Sequence, residues 1–177
     1  MRRLSFLVLT GLIGFAPAPA FAEAPKAIGT FGDWVVFASG APKATACYVS
    51  GKPAKSEPKA AKRGEVFLQV SFRKASGGEP AATNEVSIIS GYPYKEGSDA
   101  EIAIGGTKVA LFTQGDGAWA RDARTDLEVV AALKQGKSAT VKGPSAKGTA
   151  TTDTFALAGF GDALAAAMKA CAIKPAP

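Results

Sequence analysis

"KGTATTDTFALAGF", Lys147 to Phe160, changes its periodicity halfway, and that change decides the fold. Thr151, Asp153, Phe155 and Leu157 alternate onto one side, while Ala150, Thr152, Thr154 and Ala156 take the other. Period two, with β-branched threonines left for water, describes a strand with one buried face. Beyond it, Leu157, Phe160, Leu164, Met168 and Cys171 recur at spacings of three and four. That spacing predicts a helix from about Gly159 to Cys171 with these residues on its inner face. The stretch therefore reads as a strand feeding a helix, with Asp153 on the face of Phe155 and Leu157. A carboxylate among core residues needs a cationic or hydrogen-bonding partner, and Arg121 and Lys142 are the expected ones. A ligand site at this place is the competing reading.

Upstream the chain reads mostly as short strands between turns. "GTFGDWVVFAS" and "ACYVSG" make an opening pair, followed by the proline- and lysine-rich loop "KPAKSEPKAAKRG". "EVFLQVSF" places Val66, Leu68 and Val70 on one face, and "SGGEPAA" breaks it. "NEVSIIS" and "AEIAIGGTKVALFTQ" add three strands, with Gly105-Gly106 as a hairpin turn, and "GDG" then turns the chain into "AWARD". Thr125 followed by Glu128 forms a capping box ahead of "LEVVAALKQG", which Gly136 stops. "SATVKG" returns to strand. The predicted fold is all-β, mainly an antiparallel β-sandwich, with a short capping-box helix and a C-terminal helix.

The first residues describe export. Arg2 and Arg3 precede the apolar run "LSFLVLTGLIGF", and small residues surround Ala20-Phe21-Ala22. The pattern predicts a cleaved signal peptide over 1–22 and a single domain over 23–177; the apolar run is too short for a membrane helix, and no later one approaches the length required. Removing the leader lowers the formal charge from +6 to +4. About 155 residues suffice for one core, burying roughly two-thirds of the unfolded surface. Cys47 and Cys171 are the only cysteines, and an oxidising compartment favours a disulfide between them, with two buried free thiols as the alternative.

No histidine occurs anywhere in the chain, which removes Ser-His-Asp and Cys-His catalysis and histidine-ligated metals. No Walker loop or GxGxxG opens a helix after a strand. "SFRK", Ser71 to Lys74, matches S-x-x-K formally, but at a strand end without KTG or SDN it is a chance match. The carboxylates Asp116, Asp122, Asp126 and Glu128 gather around the predicted hairpin and helix, where turn and dipole roles account for them. Lys52, Lys55, Lys59, Lys62 and Arg63 form a basic surface able to touch a polyanion, with a solvated loop as the plain alternative. That segment lacks aromatic residues for base stacking, so nucleic acid is not an expected partner, and no cofactor or metal is expected.

"FGDWVV" at Phe31, "CYVS" at Cys47, "GAWARD" at Gly117 and above all "VKGPSAKGTATTDTFALAGFGDAL" resemble the invasion-associated locus B family over most of the chain. The resemblance implies an exported proteobacterial protein of β-sandwich type, in the periplasm, associated with the outer membrane or secreted. The family's name comes from a member linked to invasion of red blood cells, and relatives occur in bacteria that invade nothing. It offers no agreed catalytic residues to carry over. Many relatives have a cysteine shortly after Gly-Asp-Trp, where this chain has "VVFAS", and further cysteines in mid-domain that are missing here.

The reading that joins these observations is a non-enzymatic binding or interaction protein, contacting an unknown envelope protein or a polyanionic surface. The alternative is a carboxylate-dependent envelope enzyme acting on a glycan or peptidoglycan. A third is a sandwich holding a small apolar ligand between its sheets.

Overall fold

Gly32 and Asp33 split the first apolar run in two. In the computed structural model, which describes residues 24–40, 44–59, 63–74 and 81–173, "GTFGDWVVFAS" contributes to a hairpin of β1 (Lys26–Phe31) and β2 (Trp34–Ser39). Gly32 turns it at φ 62°, a left-handed conformation that suits glycine. The expected leader and Lys62 lie outside the described residues.

The chain continues through β3 (Ala46–Gly51), β4 (Lys55–Glu57), β5 (Phe67–Arg73) and β6 (Ala82–Ile89). Then come β7 (Asp99–Ile104), β8 (Thr107–Gln114) and β9 (Gly117–Trp119), with the expected turn at Gly105-Gly106. Helix α1 (Ala123–Gln135) is followed by β10 (Ser138–Pro144), β11 (Ala150–Ala156) and α2 (Phe160–Ala170). Among the described residues the strands form one antiparallel sheet of eleven, ordered β1-β2-β3-β5-β6-β9-β8-β7-β10-β11-β4. This is the mainly antiparallel, two-helix architecture read from the sequence.

The sheet folds over itself. At one place the three residues of β9 bridge the ends of β6 and β8. Elsewhere the chain leaves β3 and, through β4, pairs with β11, where Ala54 N–H donates to the Thr154 carbonyl at 2.8 Å. Trp34 ties β2 to the same region by donating its indole N–H to the Ala156 carbonyl at 3.0 Å.

Alternation explains the core. Trp34, Gly51, Leu68, Ile88 and Ala118 line up across five strands, and all face inward. A Cβ on Gly51 would lie 2.8 Å from the Trp34 ring, so glycine there makes room for the indole. Both helices press apolar residues onto this side: Val129, Val130 and Leu133 from α1, and Phe160, Ala163, Leu164 and Ala167 from α2. Phe160 meets Trp34 edge to face at 4.9 Å. Cys171 caps α2 and is bonded to Cys47 on β3, with Cα atoms 6.0 Å apart and both residues buried.

The helix start differs from the expectation. Asp122, not Thr125, is the N-cap: its extended backbone lets the carboxylate accept the Thr125 N–H at 2.8 Å, and those hydrogen bonds hold the acid below its ordinary value. Glu128 is exposed, outside any capping box. Gly136 ends the helix as expected.

One turn further along α1, Asp126 points inward and accepts the Val86 N–H at 2.8 Å. β9 pairs with β6 only from Ser87 to Ile89, so the helix carboxylate takes the place of a strand beside Val86. Burial, reinforced by Glu85 and Asp122, pushes the Asp126 carboxyl up. A raised acid in the folded state adds stability that is fully present below the unfolded value of 3.8 and is lost as pH rises through the folded value. Asp126→Ala, which orphans a buried N–H, is expected to cost about 1–3 kcal/mol in urea unfolding at pH 7. Asp126→Asn keeps an acceptor and is expected to stay within about 1 kcal/mol of the parent, with the parent gaining on it as the solution is acidified.

Candidate functional site

The buried position of Asp153 follows from alternation along β11, and its chemistry follows from burial. Its partner is Arg63, which comes in from the segment before β5. Nη1 and Nη2 donate to Oδ1 and Oδ2 at 2.8 and 2.5 Å, and Nε donates to the Ser90 carbonyl at 2.7 Å. The two side chains are 8% and 3% exposed, so the pair is almost wholly buried, with one edge of the guanidinium reaching a neighbouring cavity.

Two expectations are corrected here. Arg121 pairs instead with Asp99, at the surface at 2.7 Å, and Lys142 projects to water from the opposite face of β10, across from Thr152. Arg63 belongs to the interior rather than to the basic surface, because a guanidinium's planar fork matches a buried carboxylate.

Tyr92 covers the pair. Its ring lies 4.8 Å from the Arg63 guanidinium carbon, and Tyr94 stands edge-on to it at 5.4 Å. Thr151 donates its single hydroxyl proton to the Gly143 carbonyl at 3.0 Å, so in the bond between Tyr92 and Thr151 the phenol is the donor. Burial pushes the Tyr92 phenol up against the opposing pull of the Arg63 charge, and burial raises Tyr94 as well. Gly64 N–H donates to the Gly91 carbonyl at 2.8 Å, so the whole cluster fastens the entry to β5 and the exit of β6 onto β11. The Thr-Thr-Asp-Thr-Phe segment therefore carries a structural latch at its aspartate. Beside the latch lies a cavity of about 430 Å³ that includes Pro58, Arg63, Tyr92 and Thr151 in its walls.

The outer face of β2, β3 and β5 holds a wider groove of about 600 Å³. Phe37 and Tyr48, opposite each other in register, stack at 4.8 Å. Phe67 carries Lys52 over its ring at 5.6 Å, and Val35, Ser50 and Gln69 also line the groove. These aromatic rings are half-buried on the side of the sheet that faces water. The sequence offered a signal for them: Trp34 and Val36, Cys47 and Val49, and Leu68 and Val70 face inward, so their neighbours Phe37, Tyr48 and Phe67 face outward.

Around this groove the lysine loop is partly neutralised. Lys52 pairs with Glu65 and Lys55 with Glu57 at 2.7 Å, both exposed, and Lys59 is exposed beyond them. Exposed pairs of this kind contribute little to stability, but they reduce the field a polyanion would meet.

The acidic residues separate. Asp116 is exposed in the turn between β8 and β9, and Glu128 is exposed on α1. Asp122 and Asp126, with Glu85, edge a shallow cleft of about 330 Å³ beside Trp119 and Phe112, whose rings stack at 5.6 Å. Among the described residues no group of three or more His, Cys, Asp or Glu side chains is placed to hold a metal ion, and no helix is long and apolar enough to cross a membrane.

A family model described as "Invasion associated locus B (IalB) protein" matches residues 34–168. The crystal structure of invasion associated protein b from Bartonella henselae is similar, with a TM-score of 0.54 and 16% identity. The match covers 83% of this chain and 97% of that one, and at this identity it speaks for the fold alone. No curated protein matches the sequence.

Proposed function

Because the chain belongs to the invasion associated locus B family, we propose that it works outside the cytoplasm, as a binding protein of the bacterial envelope whose partner is another protein. The observation that carries this reading is the aromatic groove on the water-facing side of β2, β3 and β5. Outward aromatic side chains serve recognition more readily than stability, since aromatic residues are enriched in protein interfaces and dominate their energetics. The pairing of Lys52 and Lys55 with glutamates favours a protein over a polyanion. The arginines before the first apolar run support export, and the family name supports contact with an envelope or host surface.

A photoreactive amino acid at Val35, Tyr48 or Gln69, in the cell that makes the protein, is expected to capture one discrete protein adduct. Lys108 and Glu128, exposed on other faces, are expected to capture none. Adducts from those control positions, with none from the groove, reject the assignment. A polyanion instead predicts that Lys52, Lys55, Lys59 and Lys62 replaced by glutamate abolish a salt-sensitive association, with no protein adduct in the groove.

The cleft of Glu85, Asp122 and Asp126 favours a second reading, an envelope enzyme using carboxylates on a glycan, because burial raises Asp126 as a general acid requires. Turnover of a peptidoglycan fragment that Asp126→Asn removes without unfolding the protein would support it.

A further inference from the structure

The cavity beside the Arg63–Asp153 latch has features that structure alone does not use. A guanidinium has five N–H donors, and Arg63 spends three of them, on Ser90 and on the two Asp153 oxygens. Among the described residues no acceptor takes the other two, although the side chain is 8% exposed and lines the cavity. The cavity of about 430 Å³ falls within the size range of small-molecule sites.

Its walls divide by chemistry. Pro58, Pro93 and the Tyr92 ring supply apolar surface, while Ser145, Thr149 and Thr151 supply hydroxyls along the β10–β11 turn. Lys147 stands in that turn, exposed. Asp153 neutralises Arg63, so Lys147 leaves the site with net positive charge. The turn is held in place: Ala146 N–H donates to the Pro93 carbonyl at 2.8 Å, Thr149 N–H to the Ser145 hydroxyl at 3.2 Å, and Gly148 N–H to the Ser145 carbonyl at 2.7 Å. A preformed concave site with apolar walls, a few fixed polar groups and one cation that has no carboxylate partner among the described residues matches a small amphiphilic anion.

We propose that this cavity binds a small amphiphile with one carboxylate, phosphate or sulfonate head. The head meets Lys147 and the remaining Arg63 donors, and the apolar body lies along Tyr92, Pro58 and Pro93. The site is separate from the outer groove, and its occupancy does not depend on a protein partner there. The head could arrive on a free small molecule or on a membrane lipid, and both sources present the same chemistry.

The test is an amide NMR titration of the protein with octanoate, using octylammonium and octanol as controls of equal length. Saturable shifts confined to Gly91, Tyr92 and Ser145 to Thr151 are expected with octanoate and not with octylammonium. Lys147→Glu, at an exposed position that the fold does not need, is expected to weaken octanoate by about tenfold or more. Vesicles of phosphatidylglycerol that broaden the same amides, where free octanoate leaves them unchanged, would assign the head to a lipid. The proposal is overturned if neither octanoate nor these vesicles perturb those amides. It is equally overturned if octylammonium shifts them as strongly, or if Lys147→Glu leaves the octanoate affinity unchanged.

Discussion

Asp153→Ala is expected to lower the unfolding free energy by about 3–5 kcal/mol in urea titrations, because it strands the Arg63 guanidinium in the interior. Arg63→Ala is expected to cost a similar amount, since it leaves the Asp153 carboxylate and the Ser90 carbonyl facing protein without a donor. Removing both charges together is a different experiment. A buried pair forgoes the hydration of two ions, so replacing it with apolar groups of similar volume is often neutral or stabilising. Arg63→Met with Asp153→Leu is therefore expected to lie within about 2 kcal/mol of the parent. The lost contact with the Tyr92 ring keeps it from being more stable. Strong coupling between the two positions is the signature of a latch. Additive losses would mean that each residue acts through different partners.

The second large effect concerns the bond between Cys47 and Cys171. Opening it in the Cys47→Ala, Cys171→Ala variant is expected to cost about 2–5 kcal/mol. The two cysteines are 124 positions apart, a loop for which the chain-entropy account gives about 5 kcal/mol. Packing adds a local term, because Cys47 aligns with Phe72 across β3 and β5 while Cys171 seats the end of α2 on the same inner face. The loss is expected to appear first in α2. Amide exchange in the variant should speed up from Phe160 to Ala170 before it does so in the β5–β6 pair. Uniform acceleration throughout would place the effect in the unfolded chain alone.

Much of this architecture could be read along the sequence because alternation is local. The threonine-rich stretch gave β11, its inward Asp153 and the helix behind it, since each rests on residues a few positions apart. The start of α1 was displaced because two hydrogen-bonding residues, Asp122 and Thr125, both suit a cap, and only the backbone at Asp122 decides between them. β4 was missed because three polar residues inside a lysine loop show no period; their strand form comes from β11, against which Glu57 faces Thr152. Arg63 was missed as the partner of Asp153 for a similar reason. The two residues are 90 positions apart, and nothing local distinguishes that arginine from the lysines around it. The aromatic groove lay within reach, because outward Phe37, Tyr48 and Phe67 follow from the inward set, but outward aromatics carry meaning only once neighbouring strands bring them together.

The Asp153 latch fastens β11 within the fold, and the recognition proposed for the outer face of β2, β3 and β5 is independent of it. That independence is tested by placing the photoreactive residue at Tyr48 in the Arg63→Met, Asp153→Leu background and comparing its adducts with those of the parent. The expected result is the same adduct in the same yield, with the circular dichroism of the two proteins superimposable. A folded double variant that loses the adduct would make the buried pair part of the recognition site itself, so that latch and groove would not be separate.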